Sequence, residues 1–344
     1  MKAFRVISPG GPDKLLLTEL PDPQPGPGDV VIDVAFAGCN WGDTQIRRGT
    51  YSFPVTYPVV PGYEVAGVVA AVGADVTHFR AGDRVAALVD CGGYAQKCVA
   101  SSRLAIALPD KLDFATAAAF PIQALTAYHM LFTVFRVGAD DVVLIHAIGG
   151  GVGLFCTQMA AQAGARVVGT IATPGKEKRP LGYGAEKVVF APSDDFVQAA
   201  LDMTGGKGVD LAIDSLGGKT LDRTFDAVRI LGHVISIGEA EGAPLNNIRE
   251  RLMLRSQTFT RFSLGKLDPT APYWRKGVDA VVQAVADGSL HVPIERSFPF
   301  AEAAEMHRRF ETRKVSGKLL LAVNPALETR SDACDPTAGA QATT

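Results

Sequence analysis

The chain has 344 residues, of which 47% are hydrophobic and 20% charged, with a formal net charge of -2. That length suits two domains of an ordinary globular protein, and so small a net charge gives no footing for nucleic acid or an anionic membrane as partner. The opening "MKAFRVISPGGPDK" meets Pro and Gly too early for a signal peptide, and no run reaches about 18 apolar residues, so neither export nor a membrane span is expected.

From Met1 to Pro121 short β-type runs, "VVIDVAFAG", "EVAGVVAAVG" and "DRVAALV", alternate with punctuation such as "PDPQPGPGD". The pattern predicts a twisted, mostly antiparallel β domain with few helices. From Ile122 to Asp268 continuous apolar strands alternate with helical stretches, which predicts a parallel sheet covered on both faces. A helix over "YWRKGVDAVVQAVADG", closed by Gly288, and another over "PFAEAAEMHRRFETR" follow. The run "GKLLLAV" then reads as a last strand that returns to the first domain. The expected division is 1–121 with 269–326, then 122–268, with 327–344 as a disordered tail lacking apolar periodicity. The cysteines, Cys39, Cys91, Cys98, Cys156 and Cys334, are odd in number and scattered, which points to reduced thiols and a cytoplasmic protein.

"VVLIHAIGGGVGLFCTQMAAQAGARVVGT" is the most informative segment. A buried strand, Val142 to His146, enters a glycine turn and a helix of small and apolar residues follows. Gly150, Gly151, Val152 and Gly153 let the backbone approach a pyrophosphate, and the helix N-terminus offers it N–H groups and the positive end of its dipole. The strand–turn–helix–strand setting is what makes the glycines a dinucleotide site. The next strand, "ARVVGTIATPGKEKR", has no acid from Arg166 through Gly175 to accept from ribose hydroxyls. Thr170 and Thr173 offer hydroxyls there, and Lys176 and Arg179 offer cations suited to a 2′-phosphate, with Lys176 first. NADPH is therefore the expected cofactor.

The motifs "AGCNWGDTQIRRGTY", "PVVPGYEVAGVVAAVGADVTHFRAGDRVAAL", "GGYAQKCVA", "FPIQALTAYHML", "IHAIGGGVG", "GTIATPGKEKR", "DSLGG" and "SGKLLL" run in order up to about Asn324. Together they resemble the medium-chain dehydrogenase/reductase superfamily, and within it the zinc-independent quinone oxidoreductase branch. The resemblance implies an α/β protein: a Rossmann-type doubly wound parallel sheet, a GroES-like mostly antiparallel β domain, and an active site in the cleft between them. In register with zinc-dependent relatives, the ligand Cys falls on Asn40 and the ligand His on Tyr63. Both are poor zinc ligands, and Cys91 and Cys98 have no partner pair, so no metal is expected.

With NADPH and no Lewis acid, the natural reaction is hydride delivery to an already electrophilic small molecule, a quinone or an enone. The resemblance implies a catalytic set of Asn40, Asp43 and Thr126, with Asn40 and Thr126 also near the nicotinamide. Asn40 either donates to a quinone oxygen or braces its own loop; Asp43 reads as brace or acceptor rather than base. Arg47 and Arg48 either hold an anionic oxygen or face solvent. Tyr128 and His146 read as packed residues. By resemblance Gly238 lies near the nicotinamide ribose, Phe259, Thr260 and Arg261 lie in a loop over the nicotinamide, and Lys318 either meets the cofactor or stands exposed. Two positions depart from the family pattern. Phe190 and Ala191 stand where a Tyr is usual, and Gln45 replaces an aromatic, so the acceptor is open to differ from a simple quinone. An enone or enoyl reductase and a non-catalytic NADPH-binding protein are the competing readings. The family commonly pairs as a homodimer through a sheet edge, for which "HVISIG" and "SQTFTRF" are candidates.

Overall fold

A computed structural model describes residues 1–242 and 245–330. The chain opens with a β-ribbon, β1 (Lys2–Arg5) against β2 (Leu16–Glu19), and continues into β3 (Asp29–Cys39), whose eleven residues are nearly all buried. Helix α1 (Trp41–Arg48) starts at Asn40 and stops at Gly49, whose φ of 75° is the left-handed C-cap that glycine takes without penalty. Strands β4 (Glu64–Val72), β5 (Arg84–Leu88), β6 (Lys97–Ser101) and β7 (Ala105–Ala107) follow, then α2 (Phe114–Ala119). Asp113 caps α2 by accepting the Thr116 N–H at 2.7 Å.

Helix α3 (Pro121–Tyr128) passes into a π-helix over His129–Phe135. Strand β8 (Val142–Ile145) ends one residue short of the expected His146. After it come α4 (Gly151–Gln162), β9 (Arg166–Ile171), α5 (Lys178–Gly182), β10 (Ala185–Phe190), α6 (Phe196–Met203), β11 (Val209–Asp214), α7 (Gly218–Ala227), β12 (Val228–Ser236), α8 (Ile248–Arg255) and β13 (Thr258–Arg261). The six strands pair in the order β10-β9-β8-β11-β12-β13, all parallel, which is the doubly wound arrangement. Val142, Leu144, Val168, Val209, Ala212 and Val234 carry one face of this sheet into a core shared with Phe196, Leu221 and Phe225.

Helix α9 (Pro272–Asp287) has Pro at its start and Gly288 at its left-handed C-cap. Strand β14 (Ile294–Pro299), α10 (Ala303–Glu311) and β15 (Lys318–Ala322) complete the regular structure. β15 pairs antiparallel with β3, Leu319 opposite Cys39, within a mostly antiparallel seven-stranded sheet ordered β14-β15-β3-β4-β5-β7, with β6 also on β3.

The chain divides into two compact units, Met1–Pro121 with Arg296–Glu311 and Leu319 onward, and Ile122–Glu295 with Thr312–Lys318. The boundary expected after Asp268 therefore falls at Glu295. Trp274 of α9 stacks on His129 at 5.6 Å, and the Gln158 side chain of α4 bonds both the carbonyl (3.0 Å) and the N–H (2.8 Å) of His291. Those contacts bind α9 into the parallel-sheet unit.

The disordered tail expected over 327–344 is also corrected, at its first residues only. Pro325–Arg330 form a short 3₁₀ helix. Leu327 is buried, and Glu328 accepts from Arg84 at 3.2 Å and from the Phe114 N–H at 2.9 Å. Periodicity is the wrong signal here, because one apolar anchor and one ion pair hold the segment. Residues 331–344, including Cys334, lie outside the described residues.

Candidate functional site

In the parallel-sheet unit the turn after β8 is drawn tight. Ala147 takes φ 50°, its carbonyl accepts the Gly150 N–H at 2.8 Å, and Ile148 N–H reaches back to the Thr170 carbonyl at 3.0 Å. Gly150 then caps α4 with no side chain of its own to occupy the first-turn N–H groups. A Cβ at Gly153 would lie 2.7 Å from the Ile148 backbone, so only glycine allows α4 to press onto the turn. The carboxamide of Gln123, from α3, fills the space beside Gly151. Sequence reading quoted Gln123 within "FPIQALTAYHML" but gave it no role. A close, glycine-lined N-terminus of a twelve-residue helix suits a pyrophosphate.

Lys176 lies over this turn: a Cβ at Gly149 would stand 3.0 Å from its Cβ and its carbonyl. Its ammonium and the Thr173 hydroxyl both donate to the Arg313 carbonyl, each at 3.3 Å. Burial pulls the Lys176 pKa down, and Glu295 opposes the shift. Arg179 is spent differently, its guanidinium donating to the Ser316 carbonyl. Thr170 requires correction. It is 1% exposed, and its hydroxyl is bonded to His146 Nδ1 at 3.0 Å, so it is not presented at the end of β9. His146 bridges on to Thr224 at 2.8 Å, and burial lowers its pKa to about 3. It is a neutral core residue. Arg313, at φ 60°, enters through its carbonyl, which no sequence pattern advertises.

At the carboxyl end of β11, Asp214 is fully buried. It accepts from the N–H groups of Leu216 and Gly217 and from Ser236 Oγ at 3.2 Å. Burial raises its pKa to about 6 against those hydrogen bonds. Gly238 follows β12, where a Cβ would meet the Ser215 carbonyl at 2.8 Å. Phe259, Thr260 and Arg261 do not form a loop: they lie in β13, paired with β12. Phe259 packs on Phe225, Thr260 bonds His233 at 2.9 Å, and Arg261 faces Glu239 at 3.8 Å. Alternation along a strand sends neighbouring side chains to opposite faces, which parts Thr260 from Phe259 and Arg261. β12 itself is paired on both sides, leaving β13 as the edge. Thr126 is buried in α3, and Lys318 is 0% exposed, its N–H donating to the Pro293 carbonyl at 2.7 Å. Tyr128 packs edge-on to His129 and against Phe132.

In the antiparallel unit the first loop is braced from within. Asp43 accepts the Asn40 N–H at 2.8 Å, the Gly62 N–H at 3.0 Å and the Tyr94 hydroxyl at 3.5 Å, and it is wholly buried. It is a loop brace. Asn40 is buried, with Nδ2 donating to Glu64 Oε1 at 2.8 Å. Gly38 admits that carboxylate, since a Cβ there would lie 2.7 Å from Glu64 Oε1. Arg47 is buried and engaged, whereas Arg48 is exposed.

The residues do not fit a zinc ion. Asn40 and Tyr63 stand in the ligand register, the Asn40 amide is held by Glu64, and burial raises the Tyr63 phenol far above any ligating range. Burial likewise raises the thiols of Cys91 to about 11 and Cys98 to about 12. Among the described residues no three His, Cys, Asp or Glu side chains gather to hold a metal ion.

A doubly wound sheet with a glycine-rich phosphate turn and a partner β unit defines a dinucleotide-dependent oxidoreductase class. Family models agree: one described as alcohol dehydrogenase GroES-like domain matches residues 26–110, and one described as zinc-binding dehydrogenase matches 183–321. A probable quinone oxidoreductase of Schizosaccharomyces pombe is 36% identical over 93% of this chain and 97% of its own. A 2-haloacrylate reductase of a Burkholderia species is 32% identical over 91% and 96%. The crystal structure of Escherichia coli quinone oxidoreductase complexed with NADPH superposes with a TM-score of 0.89 at 31% identity, covering 94% of this chain and 100% of that one. The chain belongs to the medium-chain dehydrogenase/reductase superfamily, in its quinone oxidoreductase branch.

Proposed function

We propose that the protein is an NADPH-dependent oxidoreductase that delivers hydride to quinones or related electrophilic carbonyl compounds without a metal. The observation that carries this reading is Lys176, set over Gly149 of the phosphate turn on a strand end that lacks a carboxylate. The nicotinamide supplies the hydride when bound. The unit built on the parallel sheet binds the cofactor, with the α4 N-terminus facing the pyrophosphate and Lys176 the 2′-phosphate. Thr126 meets the carboxamide. Asn40, its amide oriented by Glu64, aligns the acceptor so that charge growing on its oxygen meets a fixed dipole. Asp43 holds that turn in place and takes no proton.

Reduction of α,β-unsaturated carbonyls is the second reading, favoured by the 2-haloacrylate reductase among the relatives. The reading extends to a homodimer and a cytoplasmic setting. Edge strand β13 and the exposed Ile230, Leu231, Met253 and Leu254 support the first. The absence of a disulfide at Cys39, Cys91, Cys98 and Cys156, among the described residues, supports the second.

The test is NADPH consumption by chelator-treated protein across a panel of quinones and enones, with NADH in parallel. Turnover selective for NADPH supports the reading, and the preferred acceptor separates the two chemistries. Tight NADPH binding with no turnover on any acceptor would overturn it, as would activity that returns only with zinc.

A further inference from the structure

Arg47 lies on a short helix, yet it is 0% exposed. Its guanidinium is spent on three partners: Nε donates to His307 Nδ1 at 3.2 Å, Nη1 to the Gly10 carbonyl, and Nη2 to the Glu311 carboxylate. A guanidinium has only donors and keeps its charge, so His307 Nδ1 must accept and the imidazole proton must sit on Nε2. Nε2–H stands 3.2 Å from the Tyr94 oxygen and donates to it. Tyr94 then turns its own proton towards Asp43 Oδ2 at 3.5 Å, the oxygen that also takes the Asn40 N–H. The chain of donors runs one way, Arg47 to His307 to Tyr94, and ends on the Asp43 carboxylate, which accepts from the Asn40 backbone N–H as well.

All four side chains are buried. Burying an ionised or polar group is expensive, and an apolar filling of the same volume is commonly as stable or more so. Four such groups in series are a costly way to fill a core, which makes their common endpoint informative. Nothing in the local sequence joins them: His307 is 213 residues from Tyr94 and 260 from Arg47.

We propose that His307, fixed in its Nε2–H tautomer by Arg47, is a positioning residue for the reaction, acting through Tyr94 and Asp43 to set the Asn40 turn that orients the acceptor. This rests on the assignment of Asn40 given above. It adds a tautomer lock in α10 to a loop that is braced locally by its own capping carboxylate. The charged and titratable groups around His307 are Arg47 with Glu311 behind it, and Tyr94 with Asp43 and Cys39 beyond.

Tyr94→Phe is the sharpest test, because it keeps the ring that meets His307 edge-on at 5.7 Å and removes only the hydroxyl. NADPH affinity, read by fluorescence titration, should stay unchanged, while kcat with the acceptor falls roughly 10- to 100-fold, as for a displaced orienting group. Arg47→Met exposes the imidazole to Glu311 without the guanidinium, so His307 should take up a proton at higher pH and kcat should decline towards acid pH where the parent is flat. ¹⁵N NMR of the unmodified protein should show Nε2 protonated and Nδ1 bare. An Nδ1–H tautomer overturns the proposal without reference to turnover. So does a Tyr94→Phe enzyme with the parent's kcat, or variants whose activity loss only follows a lost folded fraction with an unchanged pH profile. Failure of the parent protein to oxidise NADPH with any acceptor would instead remove the functional reading itself.

Discussion

Asn40 and Glu64 are joined by a 2.8 Å hydrogen bond from the amide Nδ2 to a fully buried carboxylate, at the junction of β3 and α1. The carboxylate reaches the amide because Gly38 leaves room for it. Charge-assisted hydrogen bonds hold geometry more firmly than neutral ones. Replacing Glu64 by Gln keeps the shape and removes the charge. Steady-state kinetics with a quinone should show kcat lowered about tenfold, equivalent to about 1.4 kcal/mol, with the NADPH KM unchanged. A kcat equal to the parent's would detach Glu64 from the acceptor.

Lys176 and Arg179 should separate in cofactor selection. Losing one charge-assisted contact to a phosphate costs about 1.5–3 kcal/mol, so Lys176→Ala should raise the NADPH KM roughly 10- to 100-fold. The NADH KM should not move, since NADH lacks the 2′-phosphate. Arg179→Ala should act more on thermal stability than on NADPH, because its guanidinium holds the Ser316 carbonyl. Equal losses for both cofactors in Lys176→Ala would place the 2′-phosphate elsewhere.

Asp214 gives the protein a pH-dependent component of stability. Burial lifts its carboxyl from the ordinary 3.8 to about 6 in the folded state. The unfolded chain therefore loses that proton first as pH rises, and the folded state binds more protons between those values. Stability from this group is intact below about pH 4, falls through pH 4–6, and levels off above, by on the order of 3 kcal/mol in all. Urea unfolding across this window should show the parent losing stability relative to Asp214→Asn. Parallel curves would mean that the hydrogen bonds to Leu216, Gly217 and Ser236 fully offset the burial.

Glu328 should anchor the C-terminal turn. Glu328→Ala removes a partner from the largely buried Arg84 and from the Phe114 N–H. The expected loss is about 1–3 kcal/mol in thermal or urea unfolding, with NADPH affinity untouched. An unchanged unfolding midpoint would make the contact an incidental one.

What the sequence by itself determined is what local backbone physics writes into composition and spacing. Continuous apolar strands between helices announced the parallel sheet, and Gly149–Gly153 announced the tight turn into α4. The missing acid after β9 and the cation just beyond its end were legible for the same reason, since strand and cation lie close along the chain; that Lys176 comes to lie over Gly149 was not. Tertiary structure alone decided which polar groups face a ligand and which face each other. Thr170 looked available from its strand position and is sealed against His146, while Phe259, Thr260 and Arg261 alternate across β13. Glu64 reached Asn40 and Gln123 reached Gly151 through packing within their own units, and the parallel-sheet unit claimed α9 through Trp274 and His291. His307 found Arg47 across 260 residues of chain. Hydrogen bonds between such distant groups depend on where whole elements come to rest, and no residue pattern within one segment encodes that.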